Sequence, residues 1–243
     1  MNKISALTLT AALSLSLTAA SVTAASASAD AASVKERIQV AGQATYYGEV
    51  KEGMPSGRGT ISWGTSKQYS GDFISGKRDG TGKYVNEYVS DDEKHKIVYT
   101  GAWKQDQMNG KGTLTHKVTR QDGTVRWNEI QTGTFKNGVL QEGYDVIHAV
   151  ADPDYSFTYK SSRETLTVMG SNTNMKTDWR KGTLFSVDYL NGSVHKVYSI
   201  FPGDTKAEER KNQEALKYLQ RIQTKINPYL EQFEKLSKQL PLK

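Results

Sequence analysis

The side chains best suited to acid–base or metal chemistry are the four histidines of this sequence, His95, His116, His148 and His195. No two of them have the H-x-x-x-H spacing that lets one helix face hold a metal ion. A turn at Asn191-Gly192 would place Asp188 directly across a β-hairpin from His195. A carboxylate that orients an imidazole is half of a nucleophilic triad, although an exposed ion pair explains this pair more simply.

Other catalytic arrangements are weaker. The sequence has no G-x-S-x-G turn to supply a nucleophile and no phosphate-binding G-x-x-x-x-G-K-[ST] loop. Asp152 and Asp154 flank a proline and could serve as paired carboxylates for glycan hydrolysis, but turn chemistry explains them as well. The absence of cysteine excludes a thiolate metal site and a cysteine nucleophile. We therefore predict a non-enzymatic protein with no catalytic residue, no metal and no cofactor.

The elements that carry these residues are organised around the stretch from Tyr69 to Gly82. Tyr69, Gly71 and Phe73 fall on one face of a strand, because side chains alternate with a period of two. Gly76 marks a turn, and the returning strand presents further glycines on the same face. The stretch predicts a β-hairpin whose glycines make room for aromatic rings.

The same spacing recurs on both sides of this hairpin. Upstream it is carried by Tyr46, Gly48, Val50, Gly53, Gly57 and Gly59, and downstream by Tyr99, Gly101, Trp103, Asp106, Gly110 and Gly112. A fourth, degenerate copy comprises Gln131, Gly133, Phe135 and Gly138, with Glu142 where a glycine is due. Repeat arrays commonly end in such an atypical unit.

The pattern Y-x-G-x-[WF]-x-x-G-x-x-x-G-x-G resembles the MORN repeat (membrane occupation and recognition nexus) over residues 46 to 144. The resemblance implies a curved, single-layer antiparallel sheet of successive hairpins that serves as a scaffold or binding surface, sometimes appended to an unrelated enzyme. A four-residue loop from Ser75 to Arg78 would set Tyr69 opposite Tyr84, Gly71 opposite Gly82 and Phe73 opposite Gly80. We expect the aromatic rings to be internal packing; an open, ring-lined ligand groove is the alternative.

Two insertions lengthen the array between repeats. Strands continue around Ser90-Asp91-Asp92-Glu93 in the first, and Asp122-Gly123 is a tight-turn signal in the second, which would set Val118 opposite Trp127. We predict two adjacent projecting hairpins, here called the fingers, as the binding site; solvated loops are the alternative. The candidate binding residues are Asp91, Asp92, Glu93, His95, Lys117, Arg120, Arg126 and Trp127.

A second candidate surface is a basic rim along the repeat turns. If successive turns stack, the rim would bind anionic lipid or a cell-wall polymer through Lys51, Arg58, Lys77, Arg78, Lys104 and Lys111.

After Tyr144 the glycine spacing stops and β patterns continue, ending in the Asn191-Gly192 hairpin. Thr205 then begins an amphipathic helical tail, which Pro228 should break or kink after Ile226. The expected fold is mainly β: a single-layer antiparallel sheet of MORN-type hairpins, extended by further strands and capped by a C-terminal amphipathic helix. A dimerising coil and a membrane-surface helix are the alternatives for the tail.

The predicted divisions are a signal peptide at 1–29, the repeat array at 30–144, further hairpins at 145–203 and the helical cap at 204–243.

The amino-terminal residues have the features of a secretory signal. Lys3 precedes an apolar run, and two A-x-A sites predict cleavage after Ala27 or Ala29.

The formal net charge of +6 is spread along the chain without a dense basic block, which argues against a nucleic-acid partner. We expect an exported binding protein whose partner is a protein or an envelope polymer, with peripheral membrane contact as a further expectation. An enzyme carried by the region after residue 144 is the remaining alternative.

Overall fold

The computed structural model describes residues 34–242, so the predicted signal peptide lies outside the described residues. It confirms a mainly β fold with a 13-stranded antiparallel sheet whose strands follow chain order. The strands are β1 (Val34–Val40), β2 (Ala44–Lys51), β3 (Met54–Trp63), β4 (Lys67–Ile74), β5 (Lys77–Ser90), β6 (Glu93–Lys104), β7 (Gln107–Thr119), β8 (Val125–Lys136), β9 (Val139–Ala149), β10 (Tyr155–Lys160), β11 (Glu164–Gly170), β12 (Ser186–Asn191) and β13 (Val194–Ser199). The helices are α1 (Met175–Lys181), α2 (Lys206–Arg221) and α3 (Gln223–Ser237).

The described chain divides into two compact units. Unit 1 contains the described residues up to Glu87 together with Val98–Gly112 and Phe135–Val139. Unit 2 contains Tyr88–Ile97, Thr113–Thr134 and the chain from Leu140 onward. Unit 1 therefore holds most of the glycine and aromatic positions, and unit 2 holds the tips of both fingers.

In unit 1 the aromatic and glycine positions form one packing arrangement. Tyr46, Tyr69 and Tyr99 are each 0% exposed. The hydroxyl of Tyr69 donates a hydrogen bond to the carbonyl oxygen of Asp72 at 3.0 Å, and the other two tyrosines bond to the carbonyl three residues ahead in the same way. The rings cover the glycines, since a Cβ added at Gly82 would lie 2.4 Å from Cε2 and Cζ of the Tyr69 ring. The predicted structural role of these rings is confirmed.

The predicted register of the second repeat is correct at its centre and wrong at its turn. Tyr69 pairs with Tyr84 and Gly71 with Gly82, as expected, but Phe73 pairs with Arg78 instead of Gly80. The loop has two residues, Ser75-Gly76, both with positive φ, and a register shift lies between Gly71 and Phe73. The irregularity accompanies the tyrosine hydrogen bond, because it leaves the Asp72 carbonyl available to the Tyr69 hydroxyl.

Successive repeats in unit 1 are held together at their turns and through their rings. The backbone N–H of Gly76 donates to Pro55, that of Asp106 to Arg78, and that of Gly138 to Met108, at 2.8 to 3.0 Å. The ring centroid of Phe73 lies 5.1 Å from that of Tyr46 and 5.2 Å from that of Tyr69, with edge-on geometry in both pairs. The turns therefore stack, and each ring contacts a neighbouring repeat.

Unit 2 has a second layer made of helices. Thr205 caps α2 in a capping box with Glu208, as the sequence predicts for the start of the tail. α3 crosses several strands: Lys225 lies against Tyr189 of β12, Tyr229 stacks on Tyr159 of β10, and Phe233 contacts Tyr144 of β9. The amphipathic tail therefore covers one face of the sheet in this unit. No helix among residues 34–242 is long and apolar enough to span a membrane.

Three local predictions in unit 2 were wrong or incomplete. The tail breaks at Ile222, while Pro228 lies inside α3, because each helix then packs its own apolar side. The last hairpin turns at Gly192-Ser193, since Asn191 pairs with Val194 and remains in the strand. A short helix, α1, occupies the segment after β11, where the buried side chain of Trp179 donates a hydrogen bond to the Leu219 carbonyl at 3.0 Å.

Candidate functional site

The tips of the fingers expose carboxylates on tight turns. Asp91 and Asp92 connect β5 to β6 with φ of 51° and 62°, and both side chains are exposed. In the second finger the Asp122 carboxylate accepts hydrogen bonds from the Thr124 N–H at 2.9 Å and its hydroxyl at 2.7 Å. The first turn is confirmed. The predicted two-residue turn of the second finger is wrong by one residue, because the Arg120 N–H donates to the Thr124 carbonyl at 2.8 Å and the Gly123 N–H to the Arg120 carbonyl at 3.0 Å, which leaves a three-residue loop. Both turns present acidic groups on defined backbone.

An ion pair joins the two fingers near these tips. The guanidinium of Arg126 on β8 donates to both carboxylate oxygens of Glu93 on β6, with distances of 2.7 to 3.0 Å. The hydrogen bond from Arg126 is the main cause that lowers the pKa of Glu93. Bidentate geometry fixes the relative position of two side chains better than a single contact does. Glu93 and Arg126 were both predicted site residues, and the structure brings them together.

A row of polar and aromatic side chains extends across neighbouring strands below the finger tips. The ring of His95 stacks on Tyr88 with centroids 4.7 Å apart, and its Nδ1 lies 3.0 Å from Nε2 of His116. Nδ1 of His116 lies 4.0 Å from Oε2 of Glu129. The members of this polar row are Tyr88, His95, His116, Trp127, Glu129, Gln131 and Asp145.

The carboxylate end of the polar row is strongly constrained. Trp127 Nε1 donates to Glu129 at 3.2 Å, while the Gln131 amide donates to Glu129 at 2.8 Å and to Asp145 at 3.3 Å. Burial, with the nearby charge of Glu129, raises the pKa of Asp145 to about 8. Burial and the neighbouring His95 lower the pKa of His116. At neutral pH Asp145 therefore holds a proton and His116 is uncharged.

The polar row lies on the face of unit 2 that the helices leave uncovered. The pairing of Asp145 with Thr158, of Thr158 with Thr167 and of Thr167 with Asp188 continues this face across β10, β11 and β12. The side chains that pack on α3, such as Phe157 and Leu166, alternate with them and point to the other face. The uncovered face offers hydrogen-bond donors and acceptors beside aromatic rings, which suits recognition of a partner. No three carboxylate or imidazole groups among residues 34–242 are arranged to hold a metal ion.

The predicted binding residues fall into different positions around this site. His95 and Trp127 belong to the polar row, and Arg120 is exposed at the tip of the second finger. Lys117 is half-buried and alternates with His116, so it lies on the opposite face of β7.

Sequence reasoning missed Tyr88, His116, Glu129, Gln131 and Asp145. The available signal was the Asp122-Gly123 turn. The register it predicts puts His116 opposite Glu129, in agreement with their observed approach and with the 3.0 Å contact between the Thr113 and Thr132 hydroxyls.

The candidate basic rim in unit 1 is interrupted by acidic partners. Arg78 is bound to Asp106 at 3.0 Å, and its guanidinium lies 4.3 Å from the ring centroid of Trp103. Arg58 lies 3.4 Å from Asp72, and the Lys77 ammonium donates to Gln105 at 2.9 Å. The exposed members of the rim are Lys51, Arg58, Lys77, Lys104 and Lys111. Arg78 is thus engaged in contacts between repeats.

The two catalytic candidates form simple contacts. Nε2 of His195 lies 2.9 Å from Asp188, and both side chains are more than half exposed. They are diagonal neighbours, since Asp188 pairs with Val197 and His195 with Leu190. Asp154 lies 3.5 Å from Nε2 of His148, whose Nδ1 contacts the Leu240 carbonyl at 2.6 Å. The first pair is an exposed ion pair. The side chains of Asp152 and Asp154, the second candidate, are both exposed on the turn between β9 and β10, and the His148 contact holds Leu240 against β9.

Comparison with known proteins identifies the repeats. The MORN repeat family model matches residues 46–67, 69–86 and 99–117, so the chain contains three MORN repeats. Alsin from Homo sapiens is 39% identical over 74 residues, which are 30% of this chain and 4% of Alsin, and Alsin from Rattus norvegicus matches to the same extent. The ALS2 C-terminal-like protein from Homo sapiens is 28% identical over 117 residues, which are 48% of this chain and 11% of that protein. The chain thus matches a small part of the length of these relatives.

Proposed function

We propose that this chain is an exported, non-enzymatic binding protein that presents its finger region to a macromolecular partner, a protein or a polymer of the cell envelope. Its MORN repeats support a binding or scaffold role. The observation that supports the finger region as the binding surface is the Glu93–Arg126 ion pair, which fixes the two fingers together above the polar row. The repeat rings themselves are buried in packing and are not available to a partner.

The ordered contact between the fingers favours a role in binding a partner over the alternative that they are only solvated loops. Two loops that served only as connections would gain nothing from a bidentate ion pair between them, because ordering two long side chains costs conformational entropy. A surface ordered before binding loses less entropy when its partner arrives. The finger region, comprising the tips and the polar row, is therefore the proposed contact surface.

The test is capture of the partner from envelope fractions with a variant that keeps the turn. Asp91→Asn/Asp92→Gly removes both carboxylates and installs the dipeptide most favoured at two positive φ values. We expect it to lose most of the captured partner. Glu52→Asn is the matched control, since Glu52 also sits at a two-residue turn with positive φ. Equal capture by the parent and the finger variant would refute the proposed surface.

Export is tested separately by sequencing the amino terminus of the mature protein. We expect it to begin after Ala27 or Ala29 in an extracytoplasmic fraction. An intact amino terminus found in the cytoplasm would refute export.

A further inference from the structure

A trough crosses the first strands of unit 1 on the face opposite the buried tyrosines. It encloses about 330 Å³, and Gly48, Gly59 and Gly71 contribute to its lining. Tyr46 of β2 is 0% exposed, whereas the adjacent Tyr47 is 53% exposed and lines the trough. The trough is therefore on the solvent side of these repeats, away from their packed rings.

A row of five side chains lies in direct register on five strands along the trough, and its middle three, Tyr47, Thr60 and Ser70, line the trough. Arg37 pairs with Tyr47, Tyr47 with Thr60, Thr60 with Ser70, and Ser70 with Lys83. The hydroxyl oxygens of Thr60 and Ser70 lie 2.7 Å apart. The Arg37 guanidinium lies 5.9 Å from the Tyr47 ring centroid. The row thus has a cation at each end, with an aromatic ring and two hydroxyls between them.

A second row on the same face alternates in charge, and its two cations, Lys35 and Arg58, line the trough. Lys35 pairs with Glu49 across β1 and β2, and Arg58 pairs with Asp72 across β3 and β4. The two acids are held by backbone groups: Glu49 accepts from the Arg58 N–H at 3.2 Å, and Asp72 from the Thr81 N–H at 2.7 Å. The Arg58 guanidinium lies 3.4 Å from Asp72, and its side chain remains 78% exposed. The two rows carry four cations and two acids, and the charged side chains that line the trough itself, Lys35 and Arg58, are both cations, so the trough attracts a negatively charged ligand.

The cations are separated by whole strands instead of being clustered. Neighbouring strands lie about 4.8 Å apart, so Lys35 and Arg58 are two spacings, about 10 Å, apart and Arg37 and Lys83 about 19 Å. A ligand with widely spaced single charges fits this pattern better than one with a charge on every unit. A nucleic acid would also bring its phosphates against Glu49 and Asp72.

We propose that this trough binds an acidic polysaccharide whose sugar chain carries one carboxylate per disaccharide. The carboxylates meet the cations of the two rows. The Thr60 and Ser70 hydroxyls hydrogen-bond sugar hydroxyls, and the exposed Tyr47 ring packs on the apolar face of a sugar ring. This site uses unit 1 and does not depend on the finger region.

The experiment measures binding of the full mature chain to hyaluronan oligosaccharides, which carry one carboxylate per disaccharide, by isothermal titration calorimetry. We expect Lys35→Glu/Lys83→Glu to weaken binding at least tenfold and Tyr47→Ala to weaken it several-fold. All three residues are exposed, so circular dichroism and the melting temperature of each variant should match the parent.

Control variants and ligands distinguish binding at the trough from nonspecific attraction between the basic protein and an anionic polymer. Lys104→Glu/Lys211→Glu makes the same charge change at exposed positions elsewhere and should bind within twofold of the parent. The methyl ester of hyaluronan and a single-stranded DNA oligonucleotide should bind at least tenfold more weakly than hyaluronan. Absence of hyaluronan binding by the parent, equal losses in both double variants, or equal binding of the DNA would each overturn the proposal.

Discussion

The Tyr69 ring lies across two glycines and ends in a hydrogen bond to the Asp72 carbonyl. Burial is the main cause that raises the pKa of its hydroxyl. The same arrangement holds for Tyr46, whose pKa rises to about 12 for the same reason. At residue scale, the packing of the array therefore depends on its glycines, which have no Cβ, as much as on its aromatic rings.

Substituting one of these glycines should unfold the array at much lower denaturant concentration. In Gly71→Ala the new Cβ would meet the backbone of Gly82, which cannot move without disturbing the sheet. We expect a loss of about 3 kcal/mol in the free energy of unfolding, measured with urea. Ser70→Ala, on the solvent face of the same strand, should cost less than about 1 kcal/mol. Similar losses in the two variants would contradict the packing account.

The polar row predicts a pH dependence of stability. The folded-state pKa of Asp145 is about 8, against 3.8 in the absence of the fold, so folding binds a proton between these values. Stability from this group is complete below the unfolded-state pKa and declines as pH rises towards the folded-state pKa. Asp145→Asn should remove this slope and leave the protein more stable than the parent at pH 8.5. Urea unfolding from pH 4 to pH 9 measures both.

The control for this experiment is Asp92→Asn, at an exposed turn, which should reproduce the slope of the parent. A parent whose stability is flat from pH 4 to pH 8 would show that Asp145 ionises normally.

The sequence alone predicted the packing of rings on glycines, because these residues recur at fixed spacing within each hairpin. The polar row could not be recognised in the same way. Its members are separated by up to 57 positions, from Tyr88 to Asp145, and they meet because five strands align. Their register depends on turns and bulges whose small shifts change every cross-strand pair.

At the scale of elements, α3 contributes Ile226, Leu230, Phe233 and Leu236 to the core of unit 2. Phe233 is 0% exposed and packs against Phe157 with ring centroids 5.3 Å apart. Lys225 and Tyr229 also tie this helix to Glu164 at 2.6 and 3.1 Å. Burial alone would raise the pKa of Glu164, but these partners, with Tyr189, hold it below its usual value.

Truncating this contact should destabilise unit 2. Phe233→Ala leaves a cavity between α3 and the sheet, and we expect a loss of about 3–5 kcal/mol in the free energy of unfolding. Lys235→Ala, at an exposed position of the same helix, should change it by less than about 0.5 kcal/mol. A small effect of the phenylalanine substitution in thermal or urea unfolding would mean that the helix is not part of the core.

The long strands and the start of the helical tail could be predicted from the sequence, whereas the break within the tail and the short helix α1 could not. Period-two patterns and turn dipeptides located the fingers, and the Thr205 cap located the start of α2. The break at Ile222, in contrast, follows from packing of two helices on different strands, which overrides the local preference of Pro228. α1 was missed because its seven residues are too few for a helical pattern to stand out.

At the scale of the whole molecule, each of the two units carries one of the proposed binding surfaces. The finger region of unit 2 carries carboxylates on exposed turns, whereas the trough of unit 1 carries more cations than acids. The net charge of +6 conceals this difference, since it averages over the chain. The repeats supply the framework, and we assign partner recognition to the finger region, where the repeat spacing is interrupted.

The measurement that tests this assignment most directly is site-specific photocrosslinking in cells that produce the protein. A photoreactive side chain is placed at Asp92 or Arg120 on the finger tips, and at Lys104 or Lys211 as exposed controls. The account predicts one common crosslinked partner from both finger positions and none from the controls. Crosslinks that form from Lys104 or Lys211 and not from either finger position would contradict it.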